Sequence, residues 1–143
     1  MKKLMLALAF ISVISVQAQS ITQHQLEGAW RMAFATNQMG TVDISKGTWQ
    51  LKEKNNGAPN EADEMFNDMV LIAQETKMVF KENTVSWIVS GKEHAKGFTL
   101  KESEGKTFII MDSDAEHAMH VFFKDGNLYM AATDVELVYK RIK

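Results

Sequence analysis

Three short apolar runs lie close together near the end of the chain, within residues 117–142, HAMHVFFKDGNLYMAATDVELVYKRI. The first two runs are separated by Asp125-Gly126-Asn127, a sequence typical of a tight hairpin turn. Residues 117–124, 128–133 and 135–142 each have the length of an ordinary β-strand. This stretch therefore predicts three consecutive antiparallel strands.

The same pattern extends back to residue 76, because turn signals recur at close and fairly even spacing. Between them, further strands are predicted at 77–81, 84–90, 95–102 and 106–111. A meander of this length either closes into a barrel or leaves exposed strand edges, and closure is the common solution.

Two features of the first half fit a barrel. Large apolar side chains at Trp30, Met32 and Phe34 alternate with the period of two that is typical of a half-buried strand, and short strands are predicted at 41–45 and 48–54. We therefore expect a mainly β protein: a single antiparallel up-and-down β-barrel of about eight to ten strands with one amphipathic helix.

The helix is predicted at about residues 60–75. Apolar residues recur there with the spacing of one helical face, at positions 62, 65, 66, 69, 70 and 73. Asn60 is a good N-cap after Pro59, and acidic residues follow in the first turn, where the helix dipole is positive. The apolar face must pack on the barrel, either at its mouth or along its flank.

Gly28-Ala29-Trp30 on the first predicted strand and Arg141 on the last resemble the lipocalin signature. In that family the tryptophan of a G-x-W motif lies across the closed end of the barrel, and a basic residue near the C-terminus packs over it. From about residue 26 to residue 143 the chain is similar to bacterial lipocalin-like domains of the calycin type. The resemblance implies that Trp30 and Arg141 form a structural lock. Gly47-Thr48-Trp49 matches the same motif, and strand order favours Trp30.

The N-terminus predicts export. Lys2 and Lys3 precede an apolar run over residues 4–16, which ends at Val16-Gln17-Ala18, as in a secretory signal peptide. The run is too short to span a membrane. We expect cleavage after Ala18, so that residues 19–143 form one barrel domain in the periplasm or outside the cell. The absence of cysteine excludes disulfides and a lipid anchor attached to a cysteine.

Charge and motifs exclude several functions. Removal of Lys2 and Lys3 leaves 14 basic against 18 acidic residues, a net charge near −4, which argues against nucleic acid or an anionic membrane as the main partner. No sequence signature of a nucleophile, a metalloprotease or a phosphate-binding loop is present, so we predict neither an enzyme nor a cofactor. His117 and Met119 would share one face of a strand, but two ligands do not define a metal site, and no metal is predicted.

A barrel of about eight strands has room for packed side chains or one small ligand. Two hypotheses follow. In the favoured one, the protein carries a small apolar molecule and the helix acts as a lid; in the other, the barrel is packed solid and binds a protein partner. The sequence does not reveal which strand face is interior. The candidate ligand-binding residues are Trp87, Phe98, Met111, Met119, Phe122, Met130 and Tyr139, with Phe108 beside them.

Overall fold

A computed structural model describes residues 20–53 and 61–143 of the protein. The predicted signal peptide and the predicted N-cap Asn60 lie outside the described residues. The elements in chain order are α1 (Gln23–Leu26), β1 (Gly28–Thr36), β2 (Gly40–Asp43), β3 (Thr48–Leu51), α2 (Glu61–Gln74), β4 (Thr76–Lys81), β5 (Thr84–Val89), β6 (Lys92–Ser103), β7 (Lys106–Met111), a 3₁₀ turn (Ala115–His117), β8 (Met119–Lys124), β9 (Asn127–Ala132) and β10 (Val135–Arg141).

Eight of these strands close into an antiparallel barrel. Strands β4 to β10 form a meander in which each strand pairs with the next, and β1 joins its two ends by pairing with both β4 and β10. Trp30 of β1 stands opposite Arg141 on one side and Met78 on the other. The predicted fold class, an up-and-down barrel with one main helix, is confirmed.

The hairpin formed by β2 and β3 lies outside the closed barrel. Residues 28–30 of β1 pair with β4, whereas residues 34–36 pair with β2, so β4 and the hairpin occupy successive lengths of the same edge of β1. The register of β1 shifts between Met32 and Phe34, and such a bulge bends a strand. The hairpin is therefore carried beyond the end of β4.

Helix α2 packs against this hairpin. Phe66, Val70 and Ala73 are buried in a cluster that also contains Val42 and Ile44 of the hairpin segment. Two polar contacts join the same elements: Trp49 Nε1 donates to Asp63 Oδ1 at 2.8 Å, and Gln74 Nε2 donates to the carbonyl oxygen of Ile44 at 2.9 Å. Helix and hairpin thus form one packed unit that contacts β1 and β4 of the barrel.

The barrel has its own hydrophobic core, distinct from the cluster under α2. Its buried residues are Ile21, Leu26, Trp30, Met78, Phe80, Val85, Phe98, Ile109, Val121, Leu128, Met130 and Tyr139. Met32 and Leu137 are partly buried and contact both clusters. The two cores therefore meet along β1 and β10.

Candidate ligand-binding site

A cavity of about 260 Å³ lies between α2 and the barrel wall. Five elements contribute to it: β1, α2, β4, β5 and β10. The lining residues are Trp30, Met32, Met69, Ile72, Ala73, Thr76, Met78, Trp87 and Tyr139. The cavity exists because the helix covers the place where β1 leaves β4 and turns towards the hairpin.

The lining is apolar and uncharged. Among residues 20–53 and 61–143, no Asp, Glu, Lys, Arg or His contributes to the cavity wall. Two of its polar groups are already used within the fold: Trp30 Nε1 donates to the carbonyl oxygen of Leu26 at 2.8 Å, and Thr76 Oγ1 donates to that of Ile72 at 2.6 Å. Such a wall favours apolar contents and disfavours an ion, because a desolvated charge without a partner is costly.

Tyr139 brings a buried phenol to this wall. The residue is only 6% exposed, and burial raises the pKa of Tyr139 to about 12. Within residues 20–53 and 61–143, no hydrogen bond engages the Tyr139 hydroxyl, while every fully buried side-chain nitrogen or oxygen has a partner. The hydroxyl therefore keeps some open space beside it, and at neutral pH it remains a protonated donor.

The raised pKa of Tyr139 predicts a loss of stability in alkali. An unfolded tyrosine releases its proton near pH 10, whereas folded Tyr139 holds its proton to about pH 12, so the folded state binds more protons in this window. The stabilisation from this group is fully present below about pH 10 and falls by about 2–3 kcal/mol by pH 12. Urea unfolding at pH 9 and pH 11.5 measures it. Tyr139→Phe should lose less stability over this range, and an identical loss in both proteins would contradict the prediction.

Arg141 lies over Trp30 beside α1. The guanidinium carbon is 4.1 Å from the centre of the indole ring, and Nη1 and Nη2 donate to the carbonyl oxygens of Glu27 and Gln25 at 2.6 Å and 3.0 Å. Gly28 has φ +120°, and a Cβ atom there would stand 2.7 Å from Arg141 Nη1. The glycine and tryptophan of G-x-W are thus both explained by contact with this arginine.

Of the residues predicted to bind a ligand, Trp87 and Tyr139 line the cavity. Phe98 and Met130 are buried in the barrel core, and Met111 and Met119 are partly buried against it. Phe122 stacks on Tyr129 with ring centres 4.9 Å apart. Alternation places it on the opposite face of β8 from buried Val121. Phe108 belongs to the same aromatic row through His120.

Sequence reasoning missed several lining residues. Met69 and Ala73 lie on the apolar face of the predicted helix, so its periodicity already indicated them as part of a lid. Met32 and Met78 pack in the barrel interior with Trp30, for which the sequence predicts only a role in the lock. Strand alternation indicates these two residues only once Trp30 is known to point inward, because residues two apart on a strand share a face.

The histidine pattern does not produce a shared strand face. His117 lies in the 3₁₀ turn rather than on β8, because its amide donates to the carbonyl oxygen of Asp114. Its ring nitrogen Nδ1 is 2.7 Å from Asp114 Oδ2, and this contact lowers the pKa of Asp114. His120 is partly buried, and this burial, with help from the charge of Lys106, lowers the pKa of its imidazole. In the described ranges, no three His, Asp or Glu residues meet in a way that would hold a metal ion.

Fold and site together define a closed eight-stranded β-barrel with an apolar cavity under a helix. A similar fold occurs in the crystal structure of a DUF4847 family protein from Bacteroides vulgatus, with a TM-score of 0.49 and 11% sequence identity over 82% of this chain and 94% of that chain. No family model and no curated protein matches the sequence. None of the helices in residues 20–53 and 61–143 has the length and apolar character needed to cross a membrane.

Proposed function

We propose that the protein binds a small hydrophobic molecule in the cavity between α2 and the barrel. The uncharged wall of this cavity is the observation that carries the proposal. An engineered apolar cavity of about 150 Å³ in another protein holds benzene, and natural ligand pockets begin near 300 Å³. A volume of about 260 Å³ therefore suits a ligand of up to three rings, or a medium-length chain.

The position of Ile72 supports access to the cavity from outside. Ile72 lines the cavity, yet its side chain is 59% exposed, so the cavity lies next to the surface at the C-terminal end of α2. The adjacent residue Leu71 is 56% exposed and does not line the cavity. An apolar ligand would meet an apolar edge on entry. This space favours the carrier over the hypothesis of a barrel packed solid.

A filling variant on α2 tests the proposal. The probe is N-phenyl-1-naphthylamine, a neutral aromatic dye whose fluorescence rises in apolar surroundings. We expect saturable binding to the natural protein and binding at least about tenfold weaker to Met69→Trp, because the indole would occupy cavity space. Leu71→Trp is the matched control on the same helix and should bind normally.

Two results would count against a binding cavity. One is the absence of a fluorescence rise with the natural protein. The other is equal affinity in the Met69→Trp and Leu71→Trp variants, which would place the dye elsewhere. Circular dichroism of each variant verifies that the barrel and α2 are retained.

We also propose that the protein is exported, on the basis of Lys2, Lys3 and the apolar run that ends before Ala18. The intact mass of the protein purified from its own host tests this directly. A chain that starts at Gln19 supports export, and a chain that retains residues 2–18 contradicts it.

A further inference from the structure

We infer that the ligand is an uncharged molecule with one hydrogen-bond acceptor, such as a ketone, ester or alcohol oxygen, and that the Tyr139 hydroxyl donates to this acceptor. The inference rests on the proposed function and specifies the ligand class of the same cavity. It follows from three observations: Tyr139 has apolar neighbours, other polar groups of the wall already donate hydrogen bonds within the fold, and the described lining residues are uncharged.

Tyr139 occupies a position surrounded by apolar side chains. On β10 it stands opposite Met32 of β1, which lines the cavity, and Leu128 of β9, which is fully buried. Removal of a hydroxyl from water without a new partner costs free energy. A buried tyrosine usually finds such a partner, yet within the described ranges no residue supplies one.

The other polar groups at the cavity leave Tyr139 as its deepest available donor. The indole of Trp30 and the hydroxyl of Thr76 already donate to backbone carbonyl oxygens. Trp87 is only half-buried, whereas Tyr139 is 6% exposed. The Tyr139 hydroxyl is therefore the unpaired donor on the most buried residue of this kind in the wall.

The charge of the wall selects against an anionic head group. A carboxylate placed beside Tyr139 would lose its water without meeting a cation, since no described Lys, Arg or His lines the cavity. Arg141 is no substitute, because its guanidinium covers Trp30 and donates to Glu27 and Gln25. A neutral acceptor pays a much smaller desolvation cost and pairs with the phenol.

Competition against bound N-phenyl-1-naphthylamine tests the inference with two probes of equal chain length, 2-decanone and decanoate. At pH 8 we expect 2-decanone to displace the dye at concentrations at least about tenfold lower than decanoate does. Tyr139→Phe removes only the hydroxyl and should weaken 2-decanone about 5- to 30-fold, with a much smaller effect on decanoate. Tyr129→Phe is the matched control, because Tyr129 stacks on Phe122 and does not line the cavity.

The outcomes separate this inference from the proposed function. If the dye binds but 2-decanone competes equally well in the natural protein and in Tyr139→Phe, the role of the hydroxyl is refuted and the cavity remains a binding site. Tighter competition by decanoate refutes the neutral ligand class in the same way. If the dye does not bind the natural protein at all, the proposed function itself fails.

Discussion

Trp30→Ala is expected to lower the free energy of unfolding by about 3–5 kcal/mol, the usual cost of removing a large aromatic side chain from a core. Trp30 is 1% exposed, donates to the carbonyl oxygen of Leu26, lies against Phe123 and supports the guanidinium of Arg141. Its truncation opens a void and also leaves Arg141 without the indole surface. Equilibrium unfolding in urea measures the loss.

Trp49→Ala is the matched control, since Trp49 belongs to the second G-x-W sequence. Trp49 is half-buried on the hairpin outside the barrel, where its indole donates to Asp63. We expect a smaller loss, about 1–2 kcal/mol, because less surface is buried and Trp49 lies outside the barrel core. An equal or larger loss for Trp49→Ala would refute the assignment of the lock to Trp30.

Phe66→Ala should loosen α2 and the hairpin without opening the barrel. Phe66 is fully buried in the cluster shared by α2 and β2, and truncation of such a phenylalanine costs about 3–5 kcal/mol. Because this cluster is distinct from the barrel core, we expect the loss to appear as local opening. Amide hydrogen exchange should accelerate at least about 100-fold in α2 and remain slow in β7 to β9.

Leu71→Ala provides the comparison for Phe66→Ala on the same helix. Its side chain is 56% exposed, so we expect a change within about 0.5 kcal/mol and unaltered exchange in α2. A uniform acceleration across α2 and β7 to β9 in Phe66→Ala would mean that the two clusters unfold as one unit. In that case α2 would not act as a separate lid over the cavity.

Much of the barrel could be predicted because short local sequences specify its turns. The sequence predicts hairpin turns at Glu104-Gly105 and Asp125-Gly126, and in the structure all four residues have positive φ. Two successive residues with positive φ match the twist of antiparallel strands, and Gly accepts this conformation without strain. The hairpins therefore depend on few distant contacts, and their number and order followed from the sequence.

The face of each strand was harder to predict where both faces carry large side chains. In Val121-Phe122-Phe123, Val121 is buried in the core and Phe123 lies against Trp30, whereas Phe122 belongs to the other face. A continuous apolar run has no alternation from which the inward side can be read. The sequence consequently groups Phe122 and Phe108 with Trp87 and Tyr139, whereas in the structure Phe122 pairs with Tyr129 and Phe108 with His120.

By itself the sequence determined the strands, the turns and the amphipathic helix, and its resemblance to the lipocalin signature implied the pairing of Trp30 with Arg141. Only the tertiary structure decided that β2 and β3 leave the barrel, that α2 packs on them, and that a cavity with Tyr139 in its wall lies beneath. The physical reason is the distance along the chain over which each interaction acts. Turn geometry and periodicity act between neighbours in the chain, whereas the cavity depends on how β1 divides its edge between β4 and β2, which no local pattern records.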